Sequence, residues 1–283
     1  MWKGKINMLQ LVSDSSCDLP DDLIRRYNIH IVPLVVEIDG ECYREKVDIT
    51  PKEFYKKMAV SRELPKTSQP TPVSFSDVFT KLSQFGSVLC ITISSGLSGT
   101  YESACLGKKL SGAENITVFD SLGGSWGQGL QLIKAAQLAE SGYSLKEILT
   151  ELEKYRDKSN ILILLNTLDN IVKGGRLSKF QGNLGKLLDV RVLLHNDKEG
   201  KVVLQKKARG KKKFMQMVLN EISKRCQDIT LVDVGISHFN NLEDAEFIKK
   251  ELIEKYHARN VLISEMGVVM ATYAGECGII IAF

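Results

Sequence analysis

The chain has 283 residues, with 38 Lys and Arg against 34 Asp and Glu for a net charge of +4, and is 43% hydrophobic and 25% charged. That is the make-up of an ordinary soluble globular protein, long enough for two domains with cores of their own. The mild charge argues against a dedicated nucleic-acid binder, and no apolar run has the length of a bilayer span, which excludes an integral membrane segment and leaves room only for transient membrane contact. The six cysteines (Cys17, Cys42, Cys90, Cys105, Cys226 and Cys277) form no CxxC pair, and MWKGKINMLQ lacks an apolar h-region and a cleavage site. The reading is a cytoplasmic protein whose reduced thiols pack as small hydrophobes.

Residues 8–12 form a short apolar run that empties into SDSSCDLP, predicting a strand, a polar loop and a helix that Pro20 opens at Asp21. Residues 30–38 predict a second strand, with Asp39-Gly40 as a hairpin turn into residues 41–47. Thr50-Pro51-Lys52-Glu53 is a capping box that starts a helix reaching about Met58. In LPKTSQPTPVSF, Pro65, Pro70 and Pro72 keep the chain extended until Thr71 or Ser74 caps a helix through Leu82. So stiff a loop could hold Thr67 and Ser68 against a ligand, or be a plain connector.

Residues 88–93 predict a buried strand running into ISSGLSGTYESA, a turn of small and hydroxyl residues that opens a helix near Thr100. Free N–H groups, the positive end of a helix dipole and the adjacent Ser94 and Ser95 make it a candidate anion pocket, whose glycines would let a ligand approach closely. The same pattern is also common turn chemistry. A strand at 116–119 ending in Asp120-Ser121, a helix at 127–141 and a second capping box at Ser144-Leu145-Lys146-Glu147 follow. The all-aliphatic residues 161–165 read as a central strand of a parallel sheet. The alternation predicts a doubly wound, mostly parallel α/β domain over residues 1–165. Its strands would bring Asp14-Ser15, Ser94-Ser95 and Asp120-Ser121 to one sheet edge, with Asp14 and Asp120 either contacting a ligand or capping helices.

From Asn166 the pattern changes to a smaller α+β domain over residues 166–283. It holds a short helix in NTLDNIVKGGRLSK, a Gly174-Gly175 break before Arg176, and a hairpin at HNDKEGK between strands at 190–196 and 201–208. Helices at 211–226 and 242–256 and strands at 229–237, 261–264 and 278–283 complete it. KKARGKKK places six basic residues in eight, a docking run for an acidic partner or a solvated corner; without an interleaved aromatic it gives little support to nucleic-acid binding. His30, His195, His238 and His257 show no metal-ligand spacing, and no phosphate-binding glycine motif occurs. No catalytic residue, metal or cofactor is assigned.

SDSSCDLP, KTSQPTP, ISSGLSGTYESA, VFDS, LLNTLDNIVKGGRLS and MATYAGECG follow one another along nearly the whole chain. Through these six motifs the protein resembles the DegV family of fatty-acid-binding proteins. The resemblance implies two domains holding one long-chain fatty acid, with the acyl chain buried and the carboxylate at the domain junction. In FakB-like members it further implies a fatty acid kinase as partner, which phosphorylates the presented carboxylate to an acyl phosphate for phospholipid synthesis, so that the carrier is not the catalyst. Carried over by position, Thr67, Ser94 and Ser95 look like hydrogen-bond donors to the carboxylate, Arg176 like the head-group arginine and Arg209 like a kinase-docking residue. One departure stands out: Tyr273 occupies the place of the family's histidine, and Glu276-Cys277 that of Pro-Gly. A phenol donates a hydrogen bond but does not titrate near neutrality as histidine does. The rival from the residues alone is a phosphoryl- or acyl-transfer enzyme using the same anion pocket, with no evident general base.

Overall fold

The computed structural model describes residues 9–177, 190–226 and 228–283. Met8 and most of the MWKGKINMLQ segment, and Ser178 and Lys179 of the GGRLSK motif, lie outside the described residues. In chain order the first half contains β1 (Gln10–Asp14), α1 (Asp21–Arg26), β2 (Ile29–Val32), β3 (Val35–Ile38), β4 (Glu41–Arg44), α2 (Pro51–Val60), β5 (Lys66–Ser68), α3 (Pro72–Leu82), β6 (Val88–Thr92), α4 (Thr100–Ser111), β7 (Ile116–Asp120), α5 (Trp126–Glu140) and α6 (Leu145–Lys158). The second half adds β8 (Ile161–Leu165), α7 (Asp169–Lys173), β9 (Val190–Asn196), β10 (Val202–Arg209), α8 (Lys211–Arg225), β11 (Asp233–His238), α9 (Leu242–Tyr256), β12 (Asn260–Glu265), α10 (Val268–Ala274) and β13 (Ile279–Ala282).

Among the described residues these strands form three sheets. A parallel sheet in the order β2-β1-β6-β7 carries the predicted α/β domain, and a mixed sheet in the order β10-β9-β8-β13-β11-β12 forms the second. A small antiparallel sheet, β4-β3-β5, lies beside them. Both predicted capping boxes are present, Thr50 with Glu53 and Ser144 with Glu147, and Thr71 caps α3. The expected strand over residues 30–38 is two strands: Pro33 cannot donate to a ladder, and the chain leaves the parallel sheet there to enter the small one.

One element sits elsewhere than expected. β8 is not a strand of the parallel sheet; it lies between β9 and β13, antiparallel to both. Its aliphatic run reflects burial on two faces, which a mixed sheet covered on both sides demands as much as a parallel one. Leu162 and Leu164 face the core beneath α8 and α9, while Ile161, Ile163 and Leu165 face the core shared with α5. A division at residue 165 therefore cuts β8 from its own sheet. The sequence 229–237 also divides, into a single 3-10 turn over Ile229–Leu231 and then β11.

α5 lies between the two large sheets, touching β1 and β6 on one side and β11 and β13 on the other. It is buried nearly all round, so its apolar residues form no stripe. Trp126 packs against Gly235 of β11 and donates its indole N–H to Ser264 Oγ at 2.9 Å. The buried Gln128 reaches back to Ser13 Oγ and Asp14 Oδ2. This helix joins the two sheets into one core, and the cavity opens beside its N-terminus.

Candidate functional site

The cavity lies between the sheets and takes its walls from the mixed sheet, from α10 and from the loops that follow β6 and β7. Ile161 and Ile163 of β8, Ile280 of β13, Ile93 after β6 and Val269, Met270 and Ala274 of α10 make most of it apolar. Its lining surrounds about 760 Å³ of space, the open mouth and its solvent included. Among the described residues its polar side chains are few: Thr67, Ser98, Arg176, Asn196 and Tyr273.

Three of these form one half-buried cluster. Thr67, on β5 opposite Val36, and Tyr273, on α10, share a hydrogen bond of 2.5 Å between their hydroxyls. The Arg176 guanidinium lies over the Tyr273 ring, 4.8 Å from its centroid, and donates from Nη1 to the Gly174 carbonyl. Such stacking places a fixed positive charge beside the two hydroxyls. Gly174 makes the arrangement possible: a Cβ there would lie 2.4 Å from the Tyr273 ring. The Gly-Gly before Arg176 is thus a close approach of the α7 turn to α10, reinforced by Asn170 Nδ2 donating to the Thr272 carbonyl at 3.1 Å.

The two serines are placed differently. Ser94 is buried; its hydroxyl donates to the Gly200 carbonyl at 2.9 Å and accepts from the Gly96 N–H at 3.0 Å. Ser95 is exposed, and its N–H donates to Asp120 Oδ1 at 3.2 Å. The expectation that the glycines of this turn admit a ligand is corrected at Gly96, where a Cβ would meet the Glu199 carbonyl oxygen at 2.6 Å. That glycine seats the turn against the β9–β10 hairpin.

The three strand ends do converge, and the two aspartates brace the turn. Asp14 Oδ2 accepts from the Ile93 N–H at 2.7 Å and Oδ1 from the Ser16 N–H at 3.1 Å. Burial nevertheless raises its pKa. His238 is pushed down by burial, and its Nδ1 accepts from the Asn241 N–H at 3.3 Å. Among the described residues no group of three or more His, Cys, Asp or Glu could hold a metal, and no helix is long and apolar enough to cross a membrane.

Arg209 ends β10 and is exposed. Within its basic run, Lys206 pairs with Glu221 and Lys211 with Asp244 at 2.5 Å, so part of the run neutralises acids of the second domain. Sequence reasoning missed Ser98, Asn196 and the apolar walls. The period-2 alternation within ILILL was the available signal for Ile161 and Ile163 sharing a face; the other wall residues are scattered over loops and helices and carry none.

The profile of the DegV family, described as uncharacterised proteins, matches residues 8–283. A DegV domain-containing protein of Clostridium acetobutylicum is 35% identical over 277 residues, covering 96% of this chain and 97% of its own. A DegV family protein from Thermus thermophilus, described for its fatty acid binding, is 31% identical with a TM-score of 0.89, covering 98% of this chain and 99% of that one. The fatty acid kinase B3 protein of Streptococcus pneumoniae, loaded with linoleic acid, shares the fold at a TM-score of 0.85 and 24% identity, over 98% of this chain and 99% of its own.

Proposed function

The chain belongs to the DegV family, and we propose that it is a cytoplasmic carrier that binds one long-chain fatty acid and presents its carboxylate to a fatty acid kinase. The observation that carries this reading is an apolar cavity whose few polar residues gather a cation and two hydroxyls at a half-buried edge. Burying about 16 methylenes at ~0.8 kcal/mol each offers roughly 13 kcal/mol, enough to offset the several kcal/mol that association and chain ordering cost. In this reading the carboxylate meets Thr67, Tyr273 and Arg176 through charge-assisted hydrogen bonds. Ser94 and Ser95 add donors, Ser94 by exchanging the Gly200 carbonyl for the ligand. Tyr273 gives the site a hydroxyl donor in place of an imidazole.

The chemistry belongs to the partner, and the exposed Arg209 is the docking residue of this reading. Native mass spectrometry of the purified protein, followed by lipid extraction, tests the cargo: a stoichiometric fatty acid is expected, and a protein that is empty and takes up no added acid overturns the reading. Loaded protein with ATP and a fatty acid kinase should yield acyl phosphate, and the carrier alone none. Arg209→Glu should suppress that turnover at unchanged lipid occupancy.

A further inference from the structure

α10 supplies Val269, Met270, Tyr273 and Ala274 to the cavity, and its start is gripped by two carboxylates outside the cavity's lining. Asp18 Oδ1 accepts from the Gly267 N–H at 2.9 Å and Glu45 Oε1 from the Val269 N–H at 3.2 Å. The two acids are only 3% and 1% exposed. A Cβ at Gly267 would lie 2.4 Å from Glu45 Oε1 and 2.7 Å from Asp18 Oδ1, so both carboxylates close on one spot. Their other oxygens are also held: Ser125 Oγ donates to Asp18 Oδ2 at 2.5 Å, and Ser15 Oγ to Glu45 Oε2 at 2.6 Å. Ser15 Oγ in turn accepts from the N–H of Leu34, itself a cavity-lining residue.

Two carboxylates buried this close do not both ionise cheaply. Burial raises Glu45 to about 8 and Asp18 to about 6. Every charged or titratable neighbour bears on that balance. Lys46 lowers both, its ammonium shared with the Leu19 carbonyl and Asp21. Tyr55, on α2, donates to the Met266 carbonyl and is pushed up by burial, and Cys17 is pushed up to about 12, so both stay neutral through the relevant range. Glu265, at the end of β12, faces Tyr55 and pairs with Lys52 at 3.6 Å. His238 has its carbonyl on the Met266 N–H and its ring held neutral by burial, and Asp14, at the end of β1, bears on Cys17 through its charge. Near neutrality the pair therefore resists carrying two negative charges.

We infer that Asp18 and Glu45 are positioning residues for the ligand site: together they clamp the first N–H groups of α10 and so set Tyr273 and the apolar wall. The inference rests on the fatty-acid reading for its ligand. Ionising both acids leaves two buried negative charges on one clamp. The start of α10 then shifts, Tyr273 moves off Thr67 and Arg176, and affinity falls as pH rises through about 8.

The test is equilibrium binding of cis-parinaric acid between pH 6.5 and 9.5. The wild-type Kd is expected to rise at least about fivefold from pH 7 to pH 9, while that of Glu45→Gln, a neutral isostere, stays within about twofold of its own pH 7 value over the same range. Asp18→Asn should be flat as well, because one negative charge remains tolerable, and it serves where Glu45→Gln does not fold. Parallel profiles for wild type and variants overturn the inference. A wild type that binds no cis-parinaric acid at pH 6.5 overturns the fatty-acid reading instead. Amide hydrogen exchange over residues 267–274 then still decides the clamp: protection that falls at pH 9 in wild type but not in Glu45→Gln supports it, and equal protection refutes it.

Discussion

The two ends of α10 are held in opposite ways. Its start rests on buried carboxylates whose oxygens are filled by Gly267, Val269, Ser15 and Ser125. Its last turn presents Tyr273 to Thr67 and Arg176, all half-buried. Buried polar groups are costly to leave unmatched, so their contacts are fixed. Hydroxyls and a guanidinium near water exchange partners at small cost, and so can turn to a ligand. The helix is anchored where it is dry and available where it is wet.

The largest expected departure separates the two ends by pH. A carboxyl whose pKa in the fold lies above its ordinary value costs stability as pH rises between the two, because the unfolded chain has already released the proton. For Glu45 that window runs from the ordinary 4.5 to about 8. Stability should fall across it, by on the order of a few kcal/mol, and level off above. Urea midpoints measured from pH 5 to 9 should show this slope, and Glu45→Gln should flatten it. A flat wild-type profile would mean the buried end is no proton store.

Filling the cavity comes next. Ala274→Phe places a ring where the acyl chain would lie and should cut fatty-acid occupancy by about a hundredfold, for an overpacking cost of about 1–3 kcal/mol in stability. Native mass spectrometry and thermal unfolding on one sample separate the two effects. Gly174→Ala should weaken binding by about tenfold, roughly 1.4 kcal/mol, since its methyl displaces the Tyr273 ring. Unchanged affinity would sever the ring's position from ligand capture. Tyr273→Phe removes one donor and should cost about fivefold, and the Ser94→Ala, Ser95→Ala pair about threefold, given net hydrogen-bond values near 1 kcal/mol. Competition with cis-parinaric acid ranks them; a serine pair that outweighs Tyr273 would move the head group to the β6 turn.

Much of the fold was legible because its signals are local. Capping boxes at Thr50 and Ser144, the turn at HNDKEGK and the hydroxyl-rich loops after strands each depend on a few adjacent residues. Six motifs in order likewise pointed to the DegV family and to Thr67, Arg176 and Tyr273, which the fold brings into one cluster from positions far apart in the chain. The placement of β8 was not legible, since ILILL is equally at home in any sheet covered on both faces. Nor was the Asp18–Glu45 pair: acids in SDSSCDLP and ECYREK look like loop charges until two turns and the start of α10 close over them.

The sequence by itself determined where helices begin, where the chain turns and which residue types could meet a carboxylate, because caps, prolines and apolar periods act over a few residues. Tertiary structure alone decided which sheet claims β8, which glycines serve packing, which serine is hidden, and that two carboxylates share one buried spot. Those outcomes depend on contacts between residues tens to hundreds of positions apart, where burial and not local preference sets the energy.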